Sequence, residues 1–107
     1  MEGSAVKTDE FVEIGKVYVD AGCVAVGDPS YLAEVEDWAD AASSTFVDER
    51  YGKYGAFGMV VSSGLGDGAY TVSVRYEDVP GFGRRIAEMR VLFIDDNVRK
   101  IADVLMS

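Results

Sequence analysis

Three aspartates of this chain lie at strand ends or turns, where carboxylates can converge on a reacting atom. Asp20 follows an apolar alternating segment, Asp28 precedes Pro29, and Asp67 lies inside a glycine-rich turn at residues 64–68. Two such carboxylates in reach of each other can bind a divalent cation or share a proton as acid and base. Each aspartate also suits a local role as a turn residue or helix cap, so a metal-dependent hydrolase is one hypothesis among three.

The residue types that are missing exclude several other chemistries. Histidine is absent from the 107 residues, and Cys23 is the single cysteine. The sequence therefore provides no Ser-His-Asp or Cys-His nucleophile system, no histidine metal site and no internal disulfide. Any metal site would consist of oxygen ligands and would suit Mg²⁺, Ca²⁺ or Mn²⁺. Cys23 lies in an apolar run without a basic neighbour, which favours a buried thiol. We predict no catalytic residue, no metal and no cofactor.

The turn Gly64-Leu65-Gly66-Asp67-Gly68 has glycines at alternate positions, so its amides could cradle a phosphate. A Rossmann or Walker loop leads into a helix, however, and this turn leads into an alternating segment that predicts a strand. A β-hairpin turn with positive φ is therefore expected. The ligand-binding alternative places a small-molecule pocket at Asp28, Tyr31, Asp67 and Tyr70.

The charge of the chain, −9 overall, is unevenly distributed. Residues 1–49 hold twelve carboxylates and two lysines, whereas residues 50–107 hold seven carboxylates and eight bases. Adaptation to a GC-rich genome or to a high-salt host would spread the carboxylates evenly, so the asymmetry indicates a directed negative face. Its centre is the run formed by Glu34, Glu36, Asp37 and Asp40 beside Trp38. That run is either a solvated helix face with Trp38 in the core or a docking surface for a basic partner.

The hydrophobic pattern predicts an α+β fold. We expect an antiparallel β-sheet of about five strands, curled as a small sandwich or half-barrel, with one inserted helix at about 29–42 and a C-terminal helix at about 96–106. The strand following Gly22 is expected to pair back on the first strand, which has a bulge at Gly15. Residues 1–9 are expected to form a flexible leader and residues 10–107 a single domain. The strands are expected at 11–19, 23–26, 56–63, 69–76 and 84–94.

Residues 15–95 contain a series of short motifs: Asp20-x-Gly22, then Gly27-Asp28-Pro29-Ser30-Tyr31, then Gly66-Asp67-Gly68-x-Tyr70, with a strand ending Phe93-Ile94-Asp95. This series resembles a group of small bacterial, archaeal and phage proteins. The group has no established activity, so the resemblance implies a fold and a phage or mobile-element setting, and it supplies no catalytic residues. The acidic segment at residues 31–42 has no counterpart in it.

The leading functional hypothesis is a non-catalytic, cytoplasmic interaction protein that docks on a basic protein surface through Glu34, Glu36, Asp37 and Asp40. In a phage setting it would inhibit a nucleic-acid-binding host defence protein. Direct binding of nucleic acid is not expected, because phosphate contacts need a basic surface. No apolar run reaches the length of about 18 residues that a membrane span needs. Aromatic residues among glycines (Tyr51, Tyr54, Phe57) suit either an interface or core anchoring. A homo-oligomer is compatible with this role and with ligand sequestration.

Overall fold

The computed structural model of the chain describes residues 6–7 and 9–106, which form two antiparallel sheets and three α-helices. The α+β fold class predicted from the sequence is confirmed, with more strands than expected and in two sheets instead of one. Residues 1–5 and 8 of the predicted leader lie outside the described residues. The strands are β1 (Val6–Lys7), β2 (Val12–Val19), β3 (Cys23–Val26), β4 (Tyr51–Tyr54), β5 (Gly58–Ser62), β6 (Gly68–Val79) and β7 (Gly83–Leu92); the helices are α1 (Pro29–Leu32), α2 (Trp38–Ser43) and α3 (Asp96–Met106).

The larger sheet is built around β6, the longest strand. β7 pairs with one edge of β6, and β1 and β2 pair with the other. Directly opposed residues of antiparallel strands share a face, so Val12, Val74 and Met89 form one row across this sheet. Val74, in the middle of the row, is buried, whereas the two flanking side chains are exposed.

Two β-bulges set the alternation of side chains in this sheet. The register of β2 against β6 shifts between Glu13 and Gly15, which confirms the bulge predicted at Gly15. A second shift, between Arg75 and Tyr76 of β6, leaves Ala87 of β7 as the extra residue. An extra residue reverses the faces beyond it. The side chain of Ile86 therefore lies on the same face as Met89, although three positions separate them.

The smaller sheet has the order β3-β5-β4, and it corrects two predicted pairings. β3 pairs with β5 and not with β2, although the turn between β2 and β3 is short. The turn at residues 64–68 likewise joins β5 of the smaller sheet to β6 of the larger one, so it is not a hairpin turn. Positive φ values at Gly64 and Gly66 do agree with the prediction. At Gly64 a Cβ would lie 3.0 Å from Phe93 Cβ, so the glycine also permits a close approach to the segment after β7.

The inserted helix predicted at 29–42 is divided in two. α1 and α2 are separated by residues 33–37, and α2 continues into a 3-10 helix, Ser44–Phe46. This 3-10 helix packs on the inner face of the smaller sheet, where Ala25, Val60 and Gly52 are directly opposed. The C-terminal helix is confirmed as α3, and the Asp95 carboxylate caps it by accepting the amide of Val98 (2.8 Å).

Candidate functional site

The candidate site is a cleft of about 430 Å³ between the α1–α2 connection and the turn from β4 to β5. Three carboxylates and three aromatic rings share its lining, which contains no lysine or arginine. We call it the acidic cleft. Its lining residues are Tyr31, Glu34, Val35, Glu36, Asp37, Ala41, Tyr54, Gly55, Ala56 and Phe57.

The acidic side of the cleft exists because the helical segment is interrupted. The Asp28 carboxylate caps α1, and Pro29 occupies the first helical position, which needs no backbone donor. After α1, the amides of Glu34 and Val35 donate to carbonyls only three residues back, a tightened pattern typical of a helix end. α2 then begins after Asp37, whose backbone carbonyl accepts from the amides of Asp40 and Ala41. The connection at residues 33–37 thus carries the carboxylates on one short stretch of chain.

The aromatic side of the cleft is held by a ring contact across it. The rings of Tyr31 and Phe57 lie with their centroids 4.5 Å apart, at an interplanar angle of 32°. Gly55, with φ +67°, brings the β4–β5 turn against Val35, where a Cβ would lie 2.9 Å from Val35 Cγ2. Any side chain at this position would push the two walls apart, so the glycine is needed for the closeness of the walls.

The cleft carboxylates have no cationic partner among the residues that the structure describes. The ion pairs recorded in that part of the chain join Arg75 to Glu77 and Glu88, and Arg99 to Asp96. Glu34, Glu36 and Asp37 are exposed and belong to none of them. Their charge is therefore available to a ligand.

Three of the four acidic residues of the predicted docking surface line the cleft, and the fourth does not. Asp40 is exposed in the first turn of α2 but does not line the cleft. Trp38 is exposed as well, so the prediction that it lies in the core is wrong, whereas the four acidic side chains are exposed to solvent as predicted. Of the predicted aromatic group, Tyr54 and Phe57 line the cleft and Tyr51 does not, and no local sequence signal joins these residues to the acidic run.

The four residues of the alternative ligand pocket are divided between the two sheets. Asp28 and Tyr31 belong to the helical crossover of the smaller sheet, while Asp67 and Tyr70 lie at the start of β6. Tyr70 is buried, its hydroxyl donates to the Gly66 carbonyl, and its ring contacts Phe93 edge to face. Tyr70 thus has a packing role that accounts for its position.

Neither a metal centre nor a reactive thiol stands out in the described part of the chain. Residues 6–7 and 9–106 contain no cluster of three or more potential metal ligands. Cys23 is half-buried, and burial raises the pKa of its thiol, which lowers its thiolate fraction at neutral pH. Within the same residues, no helix is long and apolar enough to cross a membrane.

The α1 cap gives a pH-dependent prediction. The hydroxyl of Ser30 (2.8 Å) and its amide (2.9 Å) both donate to Asp28 Oδ1 and lower the pKa of this carboxyl below its ordinary 3.8. A lowered pKa in the folded state stabilises the fold above the unfolded pKa, and that contribution is lost as pH falls through the folded value. We expect Asp28→Ala to lower the melting temperature at neutral pH, with the difference from the unmodified protein shrinking below pH 3.8.

Thermal unfolding followed by circular dichroism across the acid range measures this difference. Asp28→Asn is the matched control, because an asparagine retains the capping oxygen without a titrating proton. A melting-temperature difference for Asp28→Ala that stayed constant at all pH values would contradict the assigned role of the carboxylate.

Fold and cleft together define an α+β protein with an exposed acidic cleft. No protein-family model, curated protein or solved structure matches the chain. The resemblance to small phage and bacterial proteins therefore stays a prediction.

Proposed function

We propose that this chain is a non-catalytic interaction protein whose acidic cleft binds an arginine-bearing segment on a basic protein surface. The observation that carries the proposal is the composition of one cleft: three exposed carboxylates and three aromatic rings, with no base in the lining. Asp40 extends the negative charge along α2 and would add to attraction at longer range without contacting the bound segment.

Arginine fits this lining better than other cations. A guanidinium can donate two parallel hydrogen bonds to a carboxylate and can also lie against an aromatic face. The chain itself shows the second contact, since the guanidinium of Arg84 lies 3.8 Å from the ring centroid of Tyr76. In the cleft, Glu34 or Asp37 would supply the carboxylate and Phe57 the ring.

The charge around the cleft favours a protein partner over a nucleic acid. Residues 20–63, which include the whole smaller sheet, hold eight carboxylates and two bases. Phosphate would be repelled by this region, whereas a nucleic-acid-binding protein presents the arginines and lysines that phosphate requires. Blocking such a surface is the role that we propose, and a phage inhibitor of a host defence protein would be one instance of it.

A charge-reversal experiment tests the cleft with a defined probe, a synthetic peptide of repeated Arg-Gly units. We expect Glu34→Lys combined with Asp37→Lys to weaken binding of the peptide about tenfold or more, because exposed ion pairs each contribute roughly 0.2–1 kcal/mol and new repulsion adds to their loss. Isothermal titration calorimetry at two salt concentrations measures the affinity and its salt dependence. The matched control is Glu13→Lys combined with Asp20→Lys, which changes the net charge equally on exposed residues outside the cleft.

A comparison of two probes separates a shaped site from general acidity. A Lys-Gly peptide of the same length carries the same charge but cannot form the forked hydrogen bonds of a guanidinium. We expect it to bind more weakly than the Arg-Gly peptide, and Phe57→Ala to reduce that difference. Equal loss of binding in the cleft variant and in the control variant would mean that only net charge matters, and the proposal would then fail.

A further inference from the structure

Apolar side chains that do not line the acidic cleft are exposed on the larger sheet and on α3. On the larger sheet, the exposed side chains of Ile86 and Met89 (each 58% exposed) lie beside Val12 and surround the buried Val74. The bulge at Ala87 places Ile86 on this face. We call the residues Val12, Ile86 and Met89 the sheet patch.

Helix α3 exposes a second apolar surface after the same strand. Ile101 and Leu105 are one helical turn apart and therefore lie on one side of α3, and Leu105 is 79% exposed. A helix of 11 residues is marginal in water without tertiary packing. Its stability therefore needs a surface that covers this side, which we call the helix stripe.

The dimensions of the chain also show that it is less compact than a monomeric domain of its size. Its radius of gyration is 17.1 Å, against about 13 Å for a compact chain of about 100 residues. Its accessible surface is 7952 Å², about 2,100 Å² more than a monomeric protein of 11.6 kDa exposes. A specific interface buries about 800 Å² per partner, so the excess is large enough for a stable dimer.

The charge of this region permits self-association in a strongly acidic protein. Residues 83–106, which carry every residue of the two surfaces except Val12, hold five bases and four carboxylates, in contrast to the acidic region around the cleft. Two copies can therefore meet here without the repulsion that contact between their cleft regions would bring. The free edge of β7 adds backbone groups that a second β7 can pair with, since no other described strand occupies that edge.

We propose that a second copy of this chain covers the sheet patch and the helix stripe, forming a twofold-symmetric dimer. A twofold axis brings the same surface of both copies together, which suits a near-neutral apolar face. No residue of the sheet patch or the helix stripe lines the acidic cleft. The dimer therefore goes beyond the proposed function and would give that function two binding sites. A bivalent molecule binds a repetitive or dimeric partner more tightly than one site does.

Light scattering coupled to size-exclusion chromatography, over a dilution series, tests the dimer. The protein is expected to elute at about 23 kDa, twice its chain mass of 11.6 kDa. We expect Ile86→Glu and Leu105→Glu each to raise the dissociation constant of the dimer about 30-fold or more. A charge in the centre of an interface is at least as damaging as the loss of a central contact residue. Tyr18→Glu is the control: Tyr18 is 82% exposed on β2 but belongs to neither surface.

Each outcome supports or overturns the proposal. A dimer that persists at about 1 M salt, where charges are screened beyond about 3 Å, and that both interface variants dissociate, supports it. A monomer at every concentration overturns it. A dimer that remains intact in Ile86→Glu or in Leu105→Glu also overturns it. A dimer that dissociates in Tyr18→Glu overturns it as well. Larger, salt-sensitive assemblies would also overturn it, because they would indicate that the acidic cleft of one copy binds the arginines of another. Circular dichroism of each variant shows whether the monomer remains folded.

Discussion

Val60→Asp is expected to unfold the smaller sheet and to abolish peptide binding by the acidic cleft. Val60 is 1% exposed in β5, between Ala25 of β3 and Gly52 of β4, beneath the 3-10 helix. A carboxylate at this position would be buried without a partner, which we expect to reduce the free energy of unfolding by about 4 kcal/mol or more. That is a large share of the 5–15 kcal/mol by which domains are typically stable.

Urea unfolding and calorimetry with the Arg-Gly peptide measure the two effects. The matched control is Met59→Asp, the same replacement one residue away, because Met59 is 42% exposed and points to the opposite face of β5. Its effect on unfolding should stay within about 0.5–1 kcal/mol. If Val60→Asp left the peptide affinity unchanged, the acidic cleft would not depend on the smaller sheet for its shape.

Gly52→Ala is expected to be the next most damaging small change. A Cβ at Gly52 would lie 2.8 Å from Ser44 Cβ and closer still to Ser44 Oγ. The Ser44 hydroxyl donates to the Ala41 carbonyl (2.6 Å), so it cannot rotate away without losing a hydrogen bond. Overpacking of this kind costs about 1–3 kcal/mol, and we expect the upper part of that range because the obstruction includes a Cβ atom.

A double-mutant cycle with Ser44→Gly tests the assigned cause. Removing the Ser44 side chain frees the space that the new methyl group needs, so the double variant should be less destabilised than the sum of the single variants. Chemical denaturation of all four proteins gives the coupling free energy. Strictly additive effects would show that the contact between Gly52 and Ser44 is not the reason for the damage.

Local features of the sequence predicted much of the secondary structure. The alternation in β6 and the apolar spacing in α3 are patterns within one segment, and both elements were found at the predicted places. The bulge at Gly15 and the helix start at Asp28 and Pro29 also depend on neighbouring residues alone. The break between α1 and α2 at residues 33–37 was not predicted, because these residues continue the apolar spacing of a helix. The contact at this break is made by Val35 with Gly55, which belongs to a distant segment of the chain.

The candidate site was predicted in part. The acidic run could be recognised from its charges, and the aromatic residues after β4 from their glycine-rich surroundings. The contact between these two groups could not be predicted, because Tyr31 and Phe57 are 26 positions apart and no residue pattern indicates that their rings pack together.

Residue types and near neighbours were enough to exclude several chemistries, to show the uneven charge and to predict the segments that form strands and helices. The pairing of β3 with β5, the turn at residues 64–68 that joins two sheets, and the contact of the acidic run with aromatic rings became known from the three-dimensional fold. Strand pairing and cleft formation depend on contacts between segments that are distant in sequence. Which pairing forms is set by the free energy of all these contacts together, and not by the residues of one strand. For the same reason, the apolar face of β7 was recognisable only after the bulge at Ala87 had been located.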